Sequence, residues 1–133
     1  MGDGSIKDEL SSADRAQQYL DIAGVIIVAI GADERVQLIN RKGCEVLGYP
    51  EEQIRGRKWF DGFIPEKDRQ RTRSAFRQIV KGELEPVEYF RNQVVDSRGR
   101  VRVIDWHNAV LRDDDGQFVA TLSSGEDVTQ RVE

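Results

Sequence analysis

The sequence is poor in the residues that build disulfides, metal sites and membrane spans. It contains one cysteine, Cys44, and one histidine, His107. One cysteine excludes an internal disulfide framework and an all-thiolate metal cage, and one histidine cannot support a histidine cluster around a metal. The longest apolar run, residues 25–30, is far too short to cross a bilayer. We therefore expect no metal site and no membrane segment in this chain.

The sequence also lacks a large excess of charge of either sign. Lysine and arginine number 20 and aspartate and glutamate number 24, which gives a net charge of −4. A dedicated nucleic-acid binder carries a basic surface, so we expect no nucleic-acid partner. The first residues lack the positive and apolar segments of a secretory signal, and we expect a cytoplasmic protein. A length of 133 residues predicts one domain.

Sequence motifs of common enzyme classes are missing as well. Residues 122–125 lack the flanking glycines of a nucleophile elbow. There is no glycine-rich loop followed by lysine that could hold a phosphate group. Acidic pairs such as Glu51 and Glu52 stand at a predicted helix start, where they favour the helix dipole. We expect no enzymatic activity in this chain.

What the sequence does contain is a series of short strand and helix patterns. Residues 25–30 are mostly β-branched and predict a buried strand, with residues 35–40 as its hairpin partner. Asn40 suits the N-cap of a short helix, and residues 66–81 predict a longer one. We expect residues 59–65 to form an aromatic-rich loop.

Three further strands are predicted at residues 87–95, 100–111 and 117–124. The turns between them, at residues 96–99 and 113–116, have the aspartate and glycine composition of hairpin turns. Consecutive hairpins predict an α+β fold in which the central helices cover one face of a five-stranded antiparallel sheet. In front of it, a weak apolar stripe of Leu10, Ala13, Tyr19 and Leu20 predicts an N-terminal flanking helix over residues 1–20.

Several motifs, taken in order, resemble those of the PAS domain, the sensory module of bacterial signalling proteins. They are the segments 40–49 and 51–57, Trp106-His107-Asn108, the turn at 113–116, and the segment 124–129. The resemblance implies the PAS fold over residues 21–127, with residues 128–133 starting the linker to an output domain. Asp127, Val128 and Thr129 resemble the family's closing Asp-Ile-Thr motif, which joins the last strand to an output helix.

The resemblance also implies a function. The chain would be the sensory and dimerisation input module of a larger protein, a sensor histidine kinase or a diguanylate cyclase. It would bind a small ligand or a partner and pass a conformational change through its flanking helices. A homodimer is expected through the N-terminal helix and the outer face of the sheet. The alternative is a ligand-free PAS scaffold that mediates protein–protein contacts only.

Two cofactors of PAS proteins are disfavoured by the residues present. A covalent flavin adduct requires a cysteine in the loop after residues 56–57, where this sequence has Trp59. The haem of oxygen-sensing PAS proteins is held by a histidine on the long helix, and residues 66–81 contain none. The cofactor therefore stays unknown. We favour Cys44 as a small half-buried apolar residue and His107 as a structural histidine on the outer face of the sheet.

The resemblance further implies a pocket between the sheet and its helices. Strand alternation separates Trp106 from His107, and the comparison with the family turns Trp106 inward. Inward amides such as Asn92 and Asn108 need a partner from protein, water or ligand, whereas the aromatic residues could equally be plain core. The candidate pocket residues are Asn40, Trp59, Phe60, Phe76, Phe90, Asn92, Ile104, Trp106 and Asn108.

A basic side is predicted on the long helix, since Arg69, Arg73 and Arg77 stand one turn apart. Such a side could meet an anionic partner. We favour a solvated helix face instead, because acidic residues lie nearby and the whole chain is acidic.

Overall fold

The computed structural model describes residues 15, 18–86 and 88–131. Residues 18–22 are helical and lead into the first strand. Most of the flanking helix predicted over residues 1–20, including Leu10 and Ala13, lies outside the described residues. Within the described part of the chain, no helix combines the length and the apolar character needed to span a membrane.

A five-stranded antiparallel sheet forms one layer of the fold. Its strands are β1 (Val25–Gly31), β2 (Val36–Ile39), β3 (Tyr89–Val95), β4 (Val101–Arg112) and β5 (Phe118–Asp127). They lie in the order β2-β1-β5-β4-β3, and all neighbours are antiparallel. The last strand of the chain therefore lies beside the first, in the middle of the sheet. The predicted α+β class and five-stranded antiparallel sheet are confirmed.

The helices between β2 and β3 form the second layer. Among the described residues they are α1 (Arg41–Leu47), α2 (Glu51–Ile54), α3 (Trp59–Phe63) and α4 (Glu66–Val80). The prediction of a loop over residues 59–65 is wrong for α3. Trp59, Phe60 and Phe63 are all buried, and a helical turn is what places side chains four positions apart on the same face.

Strand β5 is longer than its sequence predicts. The predicted end at residue 124 is wrong, because pairing continues to Asp127. Gly125 lies opposite Ile26 of β1 on one side and opposite Trp106 of β4 on the other. A central strand satisfies its backbone groups with both neighbours, so residues of low strand propensity remain in the sheet.

Two β-bulges adjust which side chains face the helices. In β2, Leu38 pairs with Ala29 but Val36 pairs with Ile30, so one extra residue is inserted between them. In β5, Ala120 pairs with Leu111 of β4 but Phe118 pairs with Arg112, so one extra residue is inserted there too. The second bulge turns Phe118 toward the helices, where its ring lies 6.0 Å from that of Phe76. The first bulge thus brings Val36 into the core, and the second packs Phe118 against it.

The core lies between the inner face of the sheet and the helices. Its members share exposures below a tenth of their surface and come from both layers. Aromatic residues supply much of the volume on the helix side, and branched aliphatic residues supply the sheet side. The most buried of them are Val28, Val36, Ile54, Phe63, Ile64, Val94 and Ile104.

Asn40 joins β1 to the start of α1. Its side-chain oxygen accepts hydrogen bonds of 3.0 Å from the backbone N–H groups of both Ile27 and Gly43. Its amide nitrogen donates to the Val25 carbonyl at 2.9 Å and reaches Asp21 at 3.5 Å. One buried amide therefore caps the helix and replaces strand pairing at the end of β2.

We expect Asn40→Ala to destabilise the protein by about 2–3 kcal/mol. Loss of a helix cap costs about 1 kcal/mol, and the backbone groups of Ile27 and Val25 would also lose their partner in a half-buried place. Urea unfolding monitored by circular dichroism measures the change. Asn40→Ser is the matched variant, since its hydroxyl can still cap α1 and should recover part of the loss. A cost no larger than that of an ordinary cap would contradict the bridging role.

Candidate functional site

The two faces of β4 present different chemistry. Ile104 and Trp106 are buried against the helices, whereas His107 is exposed on the opposite face. There the His107 ring stacks on Tyr89 with centroids 4.6 Å apart and an angle of 14° between the ring planes. Its Nε2 lies 3.4 Å from the Glu88 carboxylate. The histidine thus faces away from the core, as strand alternation predicts.

Aromatic side chains close the space between sheet and helices. The rings of Trp59 and Trp106 meet edge to face with centroids 6.1 Å apart, and Trp59 also contacts Phe63 at 5.2 Å. Phe60 of α3 packs on Phe76 of α4 at 5.3 Å. All five side chains are at most 6 % exposed, so a ligand that enters this interior must displace side chains that fill it.

Trp106 occupies its place because β5 has no side chain beside it. A methyl group added to Gly125 would come within 2.7 Å of the Trp106 ring and within 2.8 Å of Ile104. The indole N–H donates a hydrogen bond of 2.6 Å to the side-chain oxygen of Asn92 on β3. The ring is therefore fixed by a missing Cβ on one strand and a polar partner on the other.

The predicted pocket residues are not all brought together. Trp59, Phe60, Phe76, Ile104 and Trp106 lie in the closed interior, and Asn92 touches it through Trp106. The side-chain oxygen of Asn108 accepts a hydrogen bond of 2.6 Å from Ser123. Asn40 is engaged by β1 and α1. Phe90 is 40 % exposed at the edge strand.

The outer face of the sheet carries a cleft that the sequence analysis did not identify. Its volume is about 540 Å³, and its outer-face residues include Val25, the Tyr89–His107 stack and the Arg91–Asp105 ion pair. Arg91 bonds Asp105 through two nitrogens, at 2.6 and 3.1 Å, and this lowers the pKa of the Asp105 carboxyl. Period-two alternation along β3 and β4 could have grouped these side chains. Phe90 and Trp106 also border the cleft.

Cys44 lies in α1, half-buried beside the core. Burial and the acidic side chains of Glu51 and Glu52 raise the pKa of its thiol. A raised pKa keeps the thiol neutral, which is unfavourable for a nucleophile. In the described part of the chain, the histidine, cysteine and acidic residues form no cluster suited to a metal ion.

The segment 127–129, which resembles an output motif, is hydrogen-bonded to the neighbouring strand β4. The Asp127 carboxylate accepts hydrogen bonds from the Arg102 guanidinium at 2.9 and 2.6 Å, and from the hydroxyl and the backbone N–H of Thr129. The Thr129 hydroxyl in turn accepts from the Val103 N–H, and the Val128 N–H donates to the Val103 carbonyl. These hydrogen bonds hold the chain where it leaves the sheet and enters the 3₁₀ turn Thr129–Arg131.

Arg102 is a partner of Asp127 that the sequence analysis did not identify. Burial by itself would raise the pKa of the Asp127 carboxyl, but the hydrogen bonds from Thr129 and Arg102 outweigh it, and the net pKa lies below the ordinary 3.8. The carboxylate is thus held ionised by Arg102, which is 25 positions away in the sequence, and by Thr129, which is two positions away.

We expect Asp127→Asn to cost about 2 kcal/mol of stability at neutral pH, since it removes charge-assisted hydrogen bonds. The pKa of Asp127 is lowered by folding, so its contribution is complete above pH 3.8 and is lost as the pH falls through the folded-state value. The difference in the free energy of unfolding between wild type and variant should therefore become smaller in acid. Urea unfolding at several pH values measures it, with Asp114→Asn in an exposed turn as the control. A gap independent of pH would contradict an ionised Asp127.

Comparison with known proteins identifies the family. A family model described as PAS fold matches residues 20–133. No functionally curated protein matches the sequence. The PAS domain of a protein from Colwellia psychrerythraea is similar in structure, with a TM-score of 0.73, 18 % identity, and coverage of 92 % of this chain and 98 % of that one.

Two other similar structures come from named signalling proteins. One is the PAS domain of the Cronobacter turicensis quorum-sensing receptor RpfR in complex with BDSF, with a TM-score of 0.66, 18 % identity, and coverage of 80 % and 95 %. The other is a sensory box histidine kinase/response regulator from Burkholderia thailandensis, with a TM-score of 0.65, 17 % identity, and coverage of 88 % and 86 %. At these identities the likeness concerns the fold, and the match of the family model to most of the chain shows that this protein belongs to the PAS-fold family.

Proposed function

We propose that this chain is the cytoplasmic, non-enzymatic input module of a larger signalling protein of the histidine kinase or diguanylate cyclase type. The observation that supports the proposal is the set of hydrogen bonds that holds the chain at Asp127, where it leaves the sheet. In a PAS domain, a segment held this firmly to Arg102 and Val103 is suited to pass strain from the sheet to whatever follows.

The route of the signal follows from the strand pairing. Ile104 lies opposite Asp127 in the register of β4 and β5, and Trp106 follows two residues later on the same face. A ligand that moves the Trp106 ring therefore acts within two residues of the exit. Such a ligand shifts the population between two sheet conformations by its difference in affinity for them.

We propose a small apolar molecule as the ligand. The interior offers the aromatic rings of Trp59, Phe60 and Trp106, with the amide of Asn92 as a polar partner at its edge. Apolar pockets with a few polar groups are the usual form of such sites. The structure of the similar PAS domain of RpfR has been solved in complex with C12:0 as well as with BDSF.

The second candidate is a ligand-free scaffold for protein contacts. It is favoured by the closed interior, because Trp59, Phe60, Phe63, Phe76 and Trp106 fill the space that a ligand would need. Under this proposal the aromatic residues act as ordinary core. The outer sheet face would then perform the entire function.

Native mass spectrometry of freshly purified protein, followed by titration with C12:0, separates the two candidates. The chain has two tryptophans, and both are in the interior, so intrinsic fluorescence reports on that space. Sensing predicts a retained small molecule, or a 1:1 complex with C12:0 that shifts the tryptophan emission. A clean apo mass and an unchanged emission would reject ligand binding and support the scaffold.

We further propose a homodimer through the outer sheet face and the N-terminal flank. Leu38 and Leu122 both lie opposite Ala29 in the sheet register, and Leu111 lies nearby on the same face. All three leucines are 36–44 % exposed, and Ile22 in the flank is 83 % exposed. A row of exposed leucines on a sheet face is typical of a protein interface.

Sedimentation velocity tests the dimer with one pair of variants. We expect wild type to dimerise and Leu122→Glu to be monomeric, because a charge would be buried in the leucine row. Leu84→Glu is the matched control, since Leu84 is 40 % exposed, close to the 36 % of Leu122, but lies in the loop after α4. A wild type that remains monomeric at about 0.5 mM, where even a weak dimer would form, would reject the proposal.

A further inference from the structure

The turn between β1 and β2 contains a glutamate in a conformation that disfavours it. Glu34 has a φ of +71°, and among the described residues it is the one non-glycine residue with positive φ. Glycine or asparagine would adopt this left-handed conformation at lower cost. A residue held in such a conformation requires a compensating interaction elsewhere.

The compensating interaction is made by the side chain of Glu34. Its carboxylate is 12 % exposed and accepts hydrogen bonds from Arg73 at 2.9 Å and Arg77 at 3.1 Å, through different oxygens. Both arginines belong to α4 and stand one turn apart on it. The basic side predicted for this helix is thus partly an ion-pair surface within the protein.

The same residue is also tied to α3. The Glu34 carbonyl accepts a hydrogen bond of 2.8 Å from the backbone N–H of Trp59, the first residue of that helix. Arg73 forms a second ion pair with Asp61 of α3. Glu34, Arg73, Arg77 and Asp61, which we call the Glu34 clamp, therefore join one turn of the sheet to both helices above the interior.

The position of the clamp has a consequence for the interior. Helices α3 and α4 carry Trp59, Phe60 and Phe76, the rings that close the space above the sheet. Opening that space requires these helices to move away from the sheet. The clamp attaches both helices to the β1–β2 turn at one place, so its loss would lower the free energy of a local opening of this region.

We propose that the Glu34 clamp is a latch that holds α3 and α4 on the sheet and sets how readily an apolar molecule enters the interior. The part that concerns entry rests on the proposed ligand binding. The part that concerns helix opening stands without it. Each part has its own measurement.

Hydrogen exchange tests the latch in two variants of different kind. Arg77→Gln removes one arm and leaves the turn backbone unchanged, whereas Glu34→Gly removes the carboxylate and suits the positive φ. We expect amide protection in α3 and in the second half of α4 to fall about threefold in Arg77→Gln, because the lost arm is largely exposed. It should fall further in Glu34→Gly, which removes both arms, and protection of β4 and β5 should be unchanged in both variants. Arg71→Gln is the matched control, because Arg71 is on the same helix but pairs with Asp68.

Three results would overturn the latch. Protection of α3 and α4 could be unchanged in both variants, protection could fall by the same factor throughout the protein, or Arg71→Gln could produce the same local loss. Each would mean that the Glu34 clamp does not specifically hold α3 and α4 on the sheet.

The rate of C12:0 binding, measured by rapid mixing and the change of tryptophan emission with time, tests entry separately. We expect both clamp variants to bind it several-fold faster than wild type. Faster exchange of α3 and α4 with no binding by any variant would reject the proposed ligand and leave the latch standing. Binding at the wild-type rate together with faster exchange would reject the role of the latch in entry.

Discussion

The antiparallel pairing of β1 with β5 is the constraint on which the other features depend. It joins strands from opposite ends of the domain, with Ile26 opposite Gly125. On its other side β5 pairs with β4, where Gly125 lies opposite Trp106. Because side chains alternate along a strand, this register decides which residues face the helices, and a slip by one residue would reverse every one of them. The aromatic interior and the outer cleft are therefore two results of one alignment.

The pairing of β4 with β5 brings the interior close to the point where the chain leaves the sheet. Trp106, Ile104 and Arg102 alternate along β4, and Asp127 is bonded to the last of them. A movement of the Trp106 ring would thus occur only a few residues away from Asp127, within one pair of strands. This short physical connection is what makes the arrangement suited to a sensory module, and it needs no extended network across the protein.

Much of the fold could be predicted because its signals are local. The β-branched run at residues 25–30, the aspartate and glycine turns and the cap at Asn40 each depend on neighbouring residues, and the structure has strands, turns and a helix start at those places. The errors arose where distant residues decide the conformation. Residues 59–63 are helical because their rings pack on α4 and β4, and β5 extends to Asp127 because it has neighbours on both sides.

The sequence by itself determined the class of fold, the alternation that separates Trp106 from His107, and the family resemblance. The tertiary structure decided which side chains meet. It placed Asn40 between β1 and α1, brought Arg102 to Asp127, and joined Glu34 to Arg73 across 39 positions of the chain. Local patterns report on backbone preference and burial, but a hydrogen bond between distant residues depends on strand register and helix placement, which are fixed only when the whole core packs.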